Sequence, residues 1–532
     1  MQTLKSYKYK EYLLNVLPCM YYGIICGSVT GALIFLFKLL AKKAEEISHF
    51  IYNAAKSSPI YLALVFVGLV VFALAMAFLH RRIPAVKGGG IPRSEGVLRG
   101  ILSFDWWKTL VGTFVGSMFS FLCGLPLGSE GPAVLMGTSL GAMCGKISKN
   151  RSTWSRYVMT GGAGAGFAVA TGAPLSGILF ALEEIHKRFT PMLVLTVSFS
   201  VVSATYVNQL LCQAFGMSPN LFNIEAFGNI ELSQVGYLLC LGVFIALAVG
   251  LFDWSIDFVS KICKKYKRIL TSPVKLIFVF VLTGVFAIWF SEGVYSGHHL
   301  IIVLSENGNT FVLLLSIFAV RLLMMLFVTG SGATGGIFIP TLAIGAAASA
   351  LITKFLLLIG LQEELFPLFV FLGMCAFIGG TLRAPLTAAV LFVELTGQFT
   401  SLFFVALVIF TVTFITELFN QIPFYDLTLE NMVHEQNEGR VANISCFEMK
   451  VSENAFVVGK MVRDIMWPAS SVVIGIKRAE AKKDDMDNDG EKKLYVGDTV
   501  ILRARYFDEE ELKKLLFGLV GKEFEIHKTE VK

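Results

Sequence analysis

The sequence predicts an all-α polytopic membrane protein that carries a small α+β domain at its C-terminal end. Hydrophobic residues make up 55% of the 532-residue chain and charged residues 16%, and the mean hydropathy is +0.68. Apolar runs recur between residues 21 and 419, and several approach the roughly 20 residues that cross a bilayer. Other runs are broken by glycine and proline, which is typical of tilted or half-spanning helices.

The net charge of +6 comes largely from short basic clusters between apolar runs, such as Lys42–Lys43 and Arg81–Arg82. Such clusters are typical of cytoplasmic loops, so they indicate a multi-pass cell-membrane protein and not nucleic-acid binding. Both termini are expected in the cytoplasm. The nine cysteines include no Cys-x-x-Cys pair, so we expect neither a metal site nor a cofactor.

The composition becomes polar after about residue 421, and this change divides the chain. We expect a membrane domain at 1–432, a linker at 433–443 and a cytoplasmic domain at 444–532. Alternation and β-branched content predict strands at 444–451, 471–477 and 493–505. Helices are expected at 458–466 and 508–519.

The membrane part contains a repeat. Ala173-Pro174-Leu175-Ser176 leads to Glu183, and Ala384-Pro385-Leu386-Thr387 leads to Glu394, each carboxylate lying ten positions after the alanine. Upstream of each copy a glycine-rich break ends in proline, at Pro132 and Pro340. Matched glycine- and proline-broken segments in two halves indicate a transporter binding site.

The two breaks share one physical property. Glycines such as Gly128, Gly131 and Gly336 relax the backbone, and a proline in the first helical turn costs no hydrogen bond. The helix after each break therefore starts inside the membrane, with unpaired amides and a positive dipole end. Such an end favours an anion. An ordinary kinked helix is the alternative, and two matched breaks favour the anion site.

Four glutamates lie in or after these breaks. Glu130 lies within the first one, and a carboxylate at membrane depth indicates function by default. By taking up and releasing a proton, the Glu130 carboxylate could act as both gate and proton carrier. Glu183 and Glu184 are adjacent, so they point about 100° apart on a helix and only one should face a pathway. Glu394 is assigned a packing role.

These segments resemble the CLC family of chloride channels and proton-coupled anion transporters. The resemblance covers roughly residues 21–432 and rests on four ordered motifs: Gly88-Gly89-Gly90-Ile91-Pro92, Gly128-Ser129-Glu130-Gly131-Pro132, Gly336-Ile337-Phe338-Ile339-Pro340, and Tyr425 in Ile422-Pro423-Phe424-Tyr425.

The resemblance implies a homodimer of tilted, partly re-entrant helices whose two halves are inverted, each subunit having its own anion pathway. Glu130 would be the external gating glutamate, and Glu184 the internal proton glutamate that marks most exchangers. The amides of Ile337 and Phe338 and the hydroxyl of Tyr425 would hold the anion, with the first motif, Gly89, Gly90 and Ile91, beside them.

Two positions depart from the family pattern. Gly89 replaces the usual serine, so a hydroxyl ligand of the anion is missing and the preference for chloride over nitrate is open. Ser129 stands where many prokaryotic members carry arginine, which should alter the outer electrostatics.

The tail resembles the small C-terminal domain of potassium-uptake regulators (TrkA-C, also called RCK-C), through the strand pattern around 472–478 and Tyr495-Val496-Gly497-Asp498. The resemblance implies a bacterial protein whose tail binds a small regulatory ligand, with a cyclic dinucleotide as a hypothesis.

The leading functional hypothesis is secondary exchange of chloride, or a similar anion, against protons. The runner-up is a passive voltage- or pH-gated chloride channel of the same fold. Cation transport is disfavoured because the sequence has no Thr-Val-Gly-Tyr-Gly filter. A membrane sensor that moves nothing stays open, and an enzyme is not indicated because no nucleophile–base set emerges.

Overall fold

The computed structural model describes residues 2–147, 152–219, 222, 228, 230–437, 442–453, 455–465, 467–468, 471–478, 486–487, 490–521 and 524–525. Eighteen helices lie within these residues: α1 Gln2–Ala55, α2 Pro59–Arg82, α3 Ile91–Leu98, α4 Trp106–Leu122, α5 Glu130–Ile147, α6 Ser152–Thr171, α7 Pro174–Phe180, α8 Pro191–Ala214, α9 Val235–Lys265, α10 Ser272–Trp289, α11 His298–Ser305, α12 Phe311–Ser331, α13 Phe338–Leu358, α14 Phe366–Leu382, α15 Pro385–Thr396, α16 Leu402–Leu418, α17 Phe424–Gln436 and α18 Glu509–Val520.

Nine helices of the described chain are long and apolar enough to cross a membrane, which confirms the polytopic all-α prediction. In seven of them less than half of the apolar window is buried, whereas 67% of the window in α13 and 94% of that around α14 are buried. Helix α14 therefore lies in the protein interior. The short helices α3, α7 and α15 cannot cross a bilayer, as the glycine- and proline-broken runs predicted.

Small residues let the first-half helices approach closely. Helices α5 and α6 run antiparallel, and a Cβ added to Gly137 would lie 2.0 Å from the Gly162 carbonyl oxygen. The same contact repeats one turn away, where a Cβ on Gly166 would lie 2.2 Å from the Ala133 carbonyl oxygen. Close backbone approach through small residues is how membrane helices gain packing contacts.

The tail contains a five-stranded sheet in the order β3-β2-β4-β1-β5, with every pairing antiparallel. The strands are β1 Asn443–Lys450, β2 Ser471–Lys477, β3 Met486–Asp487, β4 Thr499–Tyr506 and β5 Phe524–Glu525. The predicted strands at 444–451 and 471–477 and the predicted helix at 508–519 are confirmed, the last as α18.

Two predictions for the tail are corrected. No helix spans the described part of 458–466, where Val458 and Met461 form bridges to Leu494 and Lys493 and only a 3₁₀ turn follows at Val462–Asp464. The strand predicted at 493–505 begins only at Thr499, because Gly497 adopts φ +86° and turns the chain. Long-range pairing has overridden local propensity in both places.

The tail packs directly against the membrane domain. Arg188 donates to the Ile465 carbonyl oxygen at 2.9 Å, and the Tyr157 and Phe456 rings lie 6.1 Å apart. Helix α17 continues to Gln436, into the predicted linker, and β1 starts at Asn443. The domain boundaries themselves stay a prediction, and residues 438–441 of the linker lie outside the described residues.

Candidate functional site

The loops before α5 and α13 meet at the centre of the membrane domain. The Gly128 amide donates to the Gly336 carbonyl oxygen at 2.6 Å, and the Gly336 amide donates back to Gly128 at 2.7 Å. These two bonds form an isolated antiparallel bridge between the two halves of the repeat. The two breaks identified in the sequence are therefore in direct contact.

The loop before α3 joins the same junction, and glycine is required there. A Cβ on Gly131 would lie 1.9 Å from the Gly89 carbonyl oxygen, and one on Gly90 would lie 2.4 Å from the Gly131 carbonyl oxygen. Gly90 also adopts φ +79°, a backbone conformation that residues other than glycine rarely adopt. Three backbone segments thus meet at a distance that only glycine permits.

The start of α13 at this junction carries unused donors. The amides of Ile337 and Phe338 donate to no protein acceptor among the described residues. Helix α13 begins at Phe338 with Pro340 in its first turn, and α5 begins at Glu130 with Pro132 in its first turn. Helix α3 begins at Ile91, directly after Gly90. The arrangement supplies backbone N–H groups and positive dipole ends, which suit an anion.

Tyr425, near the end of the membrane domain, is a further buried donor. It lies in the first turn of α17 and is 1% exposed, and its hydroxyl has no hydrogen-bond partner in the part of the chain that the structure describes. The hydroxyl is within electrostatic range of both Glu130 and Glu184. One buried donor therefore lies near both carboxylates that the sequence singled out.

Glu130 is completely buried. Its Oε1 accepts from the Ser129 hydroxyl at 3.1 Å, and its Oε2 has no partner within the described residues. A buried carboxylate with an unpaired oxygen is costly in the ionised form. This geometry suits a group that changes its protonation state or its position.

Glu184 is 3% exposed and lies in a π-helical turn, Ala181–Ile185, that continues α7. Such turns are frequent at functional sites. It interacts electrostatically with Lys187, Glu95, Asp426 and the adjacent Glu183. Glu184 is therefore a buried side chain that interacts with a cluster of charged residues.

This charged cluster was not predicted from the sequence. The Lys187 ammonium lies 2.7 Å from Asp426 and 3.2 Å from Glu95, and Arg99 lies 2.8 Å from Glu95. The cluster borders a cavity of about 720 Å³ between the membrane domain and the tail, with Arg505 on the tail side. No sequence signal connects these residues, because they come from α3, the loop after α7, and α17.

Glu183 has a different role from Glu184. Its carboxylate accepts from the amides of Leu386 and Thr387, at 3.1 and 2.7 Å, and from the Thr387 hydroxyl at 2.7 Å. It therefore caps the N-terminus of α15, the corresponding helix of the other half. An N-terminal carboxylate cap satisfies otherwise unpaired amides.

Glu394 makes the reciprocal contact. It accepts from the amides of Leu175 and Ser176, both at 2.7 Å, and from the Ser176 hydroxyl at 2.6 Å. The packing role expected for Glu394 takes a specific form, since the residue is a hydrogen-bonded cap that holds α15 against α7. The equal spacing from Ala173 and Ala384 was the signal that the two glutamates act as a pair.

The family model described as voltage gated chloride channel matches residues 71–417. The chain belongs to this family. The fold class predicted from the CLC resemblance is therefore confirmed, and the matched region contains Glu130, Glu184 and both halves of the repeat. Among the site residues, only Tyr425 lies outside the matched region.

Curated relatives are named H(+)/Cl(-) exchange transporter ClcA. The Vibrio cholerae (strain M66-2) protein is 30% identical over 356 residues, covering 64% of this chain and 73% of the relative. The Citrobacter koseri protein is 27% identical over 437 residues, covering 79% and 89%.

Two solved structures share the fold. A slow cyanobacterial Cl-/H+ antiporter aligns with a TM-score of 0.73 and 26% identity, covering 79% of this chain and 99% of that one. A CLC-type fluoride/proton antiporter aligns with a TM-score of 0.61 and 19% identity, covering 77% and 97%. The second likeness concerns the fold alone.

The cross-capping predicts matched effects for two substitutions. Glu183→Gln and Glu394→Gln should each lower the thermal midpoint of the detergent-purified protein by several degrees, since each replaces charge-assisted bonds worth about 1.5–3 kcal/mol apiece. Glu364→Gln, at an exposed glutamate, should leave the midpoint unchanged. Midpoints for both cap variants equal to that of Glu364→Gln would contradict the capping role.

Proposed function

We propose that this chain is a secondary-active transporter that exchanges chloride, or a similar small anion, for protons across the cell membrane. The names of its relatives support exchange, and one structural observation carries it. Glu130 and Glu184 are both buried, and the Tyr425 hydroxyl is a buried donor without a hydrogen-bond partner among the described residues. Because the relatives are named as transporters, transport and not enzymatic activity is the role proposed for these residues.

In this proposal the anion is held by the amides of Ile337 and Phe338 and by the Tyr425 hydroxyl. Gly89, Gly90 and Ile91 form the adjoining backbone wall. Glu130 begins a helix at the same junction, so its carboxylate competes with an anion for the positive end of α5. When Glu130 takes up a proton it loses that attraction, and the anion replaces it.

Glu184 passes protons between Glu130 and the cytoplasm. The adjacent Glu183 is unsuited to this task because three hydrogen bonds hold it against α15. Glu184 instead lies beside Lys187 and Asp426, which border the cavity under the tail. The cavity gives protons a polar route to the inner face of the membrane, if the tail and both chain ends are cytoplasmic.

Proteoliposome flux measurements test the exchange directly. A chloride gradient should drive proton movement in the native protein. Glu184→Gln and Glu130→Gln should reduce that movement at least about tenfold while chloride still passes, because each removes a proton carrier and leaves the amides and the Tyr425 hydroxyl in place. Glu183→Gln is the matched control and should keep the coupling.

Chloride flux in the native protein without any proton movement would contradict exchange. It would establish the alternative function, a passive voltage- or pH-gated chloride channel of the same fold. Absence of all anion flux would contradict both functions and favour a sensor.

Gly89 offers a test of anion preference. A Cβ at this position would meet its nearest atoms, in Ile337 and Gly335, at 3.7–3.8 Å, and the backbone there is not left-handed. A serine therefore fits without strain and adds a hydroxyl at the wall of the anion site.

Gly89→Ser should raise the preference for chloride over nitrate about fivefold, since one net hydrogen bond contributes about 1 kcal/mol. Gly89→Ala fills the same space without a hydroxyl and should leave the preference unchanged. Competition of nitrate with radioactive chloride uptake measures both. Equal preferences for the serine and alanine variants would exclude a hydroxyl effect at this wall.

A homodimer is part of the proposal. The short helices α7 and α15 pack together through their cross-caps, yet Leu175 and Leu386 beside those caps are 53% and 44% exposed. A second copy in the bilayer would cover this face. Light scattering in detergent should give twice the mass of 58.4 kDa, and a single-chain mass would remove the dimer from the proposal.

The tail is proposed to act as a TrkA-C-like regulatory domain of bacterial type. Its contacts with Arg188 and the charged cavity support a mechanical connection to the inner proton route. Cyclic dinucleotides are the first ligands to test by isothermal titration on the full-length protein. Absence of binding heat would remove that ligand class from the proposal.

A further inference from the structure

Lys38 lies inside the first membrane helix and takes no part in the site described above. It belongs to an apolar span of α1, Leu17–Ala55. Its ammonium donates to the Val169 carbonyl oxygen of α6 at 2.9 Å, and it forms no ion pair with any described carboxylate. A cation within a membrane span is costly and indicates a function by default.

The register of α5 and α6 shows what lies at the level of this ammonium. The antiparallel contacts join Gly141 to Met159, Gly137 to Gly162, and Ala133 to Gly166. Each step of four residues toward the start of α5 is matched by a step of three or four residues toward the end of α6. Continuing by one step from Ala133 and Gly166 brings Glu130 level with Val169.

Lys38 is therefore anchored to α6 at the height where α5 begins. Its charge and that of Glu130 interact electrostatically, which agrees with this placement. One N–H of the ammonium is used by Val169, so two remain for water or an anion. Arg321, a second cation within a membrane helix, differs in that each of its three nitrogens donates to a carbonyl, those of Glu292, Val294 and Tyr295.

The residue beside the gate carries no positive charge of its own. Position 129 is a serine, whose hydroxyl donates to Glu130 at 3.1 Å. The start of α5 thus offers only its dipole, equivalent to about half an elementary charge. A full cation nearby in a low-dielectric setting acts more strongly than it would in water.

We infer that Lys38 supplies, from the first membrane helix, the fixed positive charge that attracts anions to the Glu130 end of the pathway. This inference rests on the proposed function and concerns anion entry. Other charged groups are close to it. Glu45, two turns further along α1, interacts with Ser296 and Arg321, and the half-buried His298 is within electrostatic range of Lys38.

Chloride uptake into proteoliposomes tests the inference, with external chloride varied at constant ionic strength. Lys38→Gln keeps a hydrogen-bond donor and removes the charge, and should raise the half-saturating chloride concentration about three- to tenfold. Lys38→Arg should stay near the native value. Lys42→Gln is the matched control, since Lys42 is exposed one turn away, and it should have no effect.

A compensating variant separates charge from packing. Lys38→Gln combined with Ser129→Arg should recover the native half-saturation, because a cation returns at the residue next to Glu130. If Lys38→Gln does not elute as one folded species, Lys38→Met, alone and with Ser129→Arg, is assayed in the same way.

Two outcomes would overturn the inference. In the first, Lys38→Gln and Lys38→Arg are equally impaired and Ser129→Arg does not rescue, which would make Lys38 a packing residue. In the second, Lys38→Gln has native half-saturation. Absence of chloride flux in the native protein is a separate result, which would contradict the proposed function itself.

Discussion

The bridge between Gly128 and Gly336 is the constraint on which the rest of the membrane domain depends. Its two hydrogen bonds, at 2.6 and 2.7 Å, fasten the halves of the repeat at one point. The approach requires bare backbone, because a Cβ on Gly336 would lie 2.7 Å from the Gly131 amide nitrogen. Since α5 and α13 start beside this bridge, their positive ends point to one place.

A second point of attachment frees one glutamate for transport. Glu183 caps α15 and Glu394 caps α7, so the two short helices fix each other across the repeat. Their ends need no further ligand. Glu184, one residue beyond Glu183, is then turned toward Lys187 and the cavity under the tail. Glu183 thus has the structural role, and the neighbouring Glu184 has the proposed role in proton transfer.

The membrane fold and the convergence of its motifs could be predicted because their signals are local and occur twice. Glycine breaks ending in Pro132 and Pro340 specify where helices start, whatever surrounds them. The cross-caps could not be predicted, because Glu183 and Leu386 meet only through the fold. The same holds for the cluster of Glu95, Lys187 and Asp426, and for the tail segment at Val458, where pairing with Leu494 replaced the expected helix.

The central claim is that an anion binds where these helix starts meet Tyr425. Anomalous diffraction from crystals grown in bromide tests it most directly, since bromide replaces chloride with little change in size. The account predicts a bromide peak within hydrogen-bond distance of the Ile337 or Phe338 amide and the Tyr425 hydroxyl. In the Tyr425→Phe variant, the peak at that position should be lost. A well-ordered junction without a peak, while bromide binds elsewhere in the membrane domain, would contradict the account.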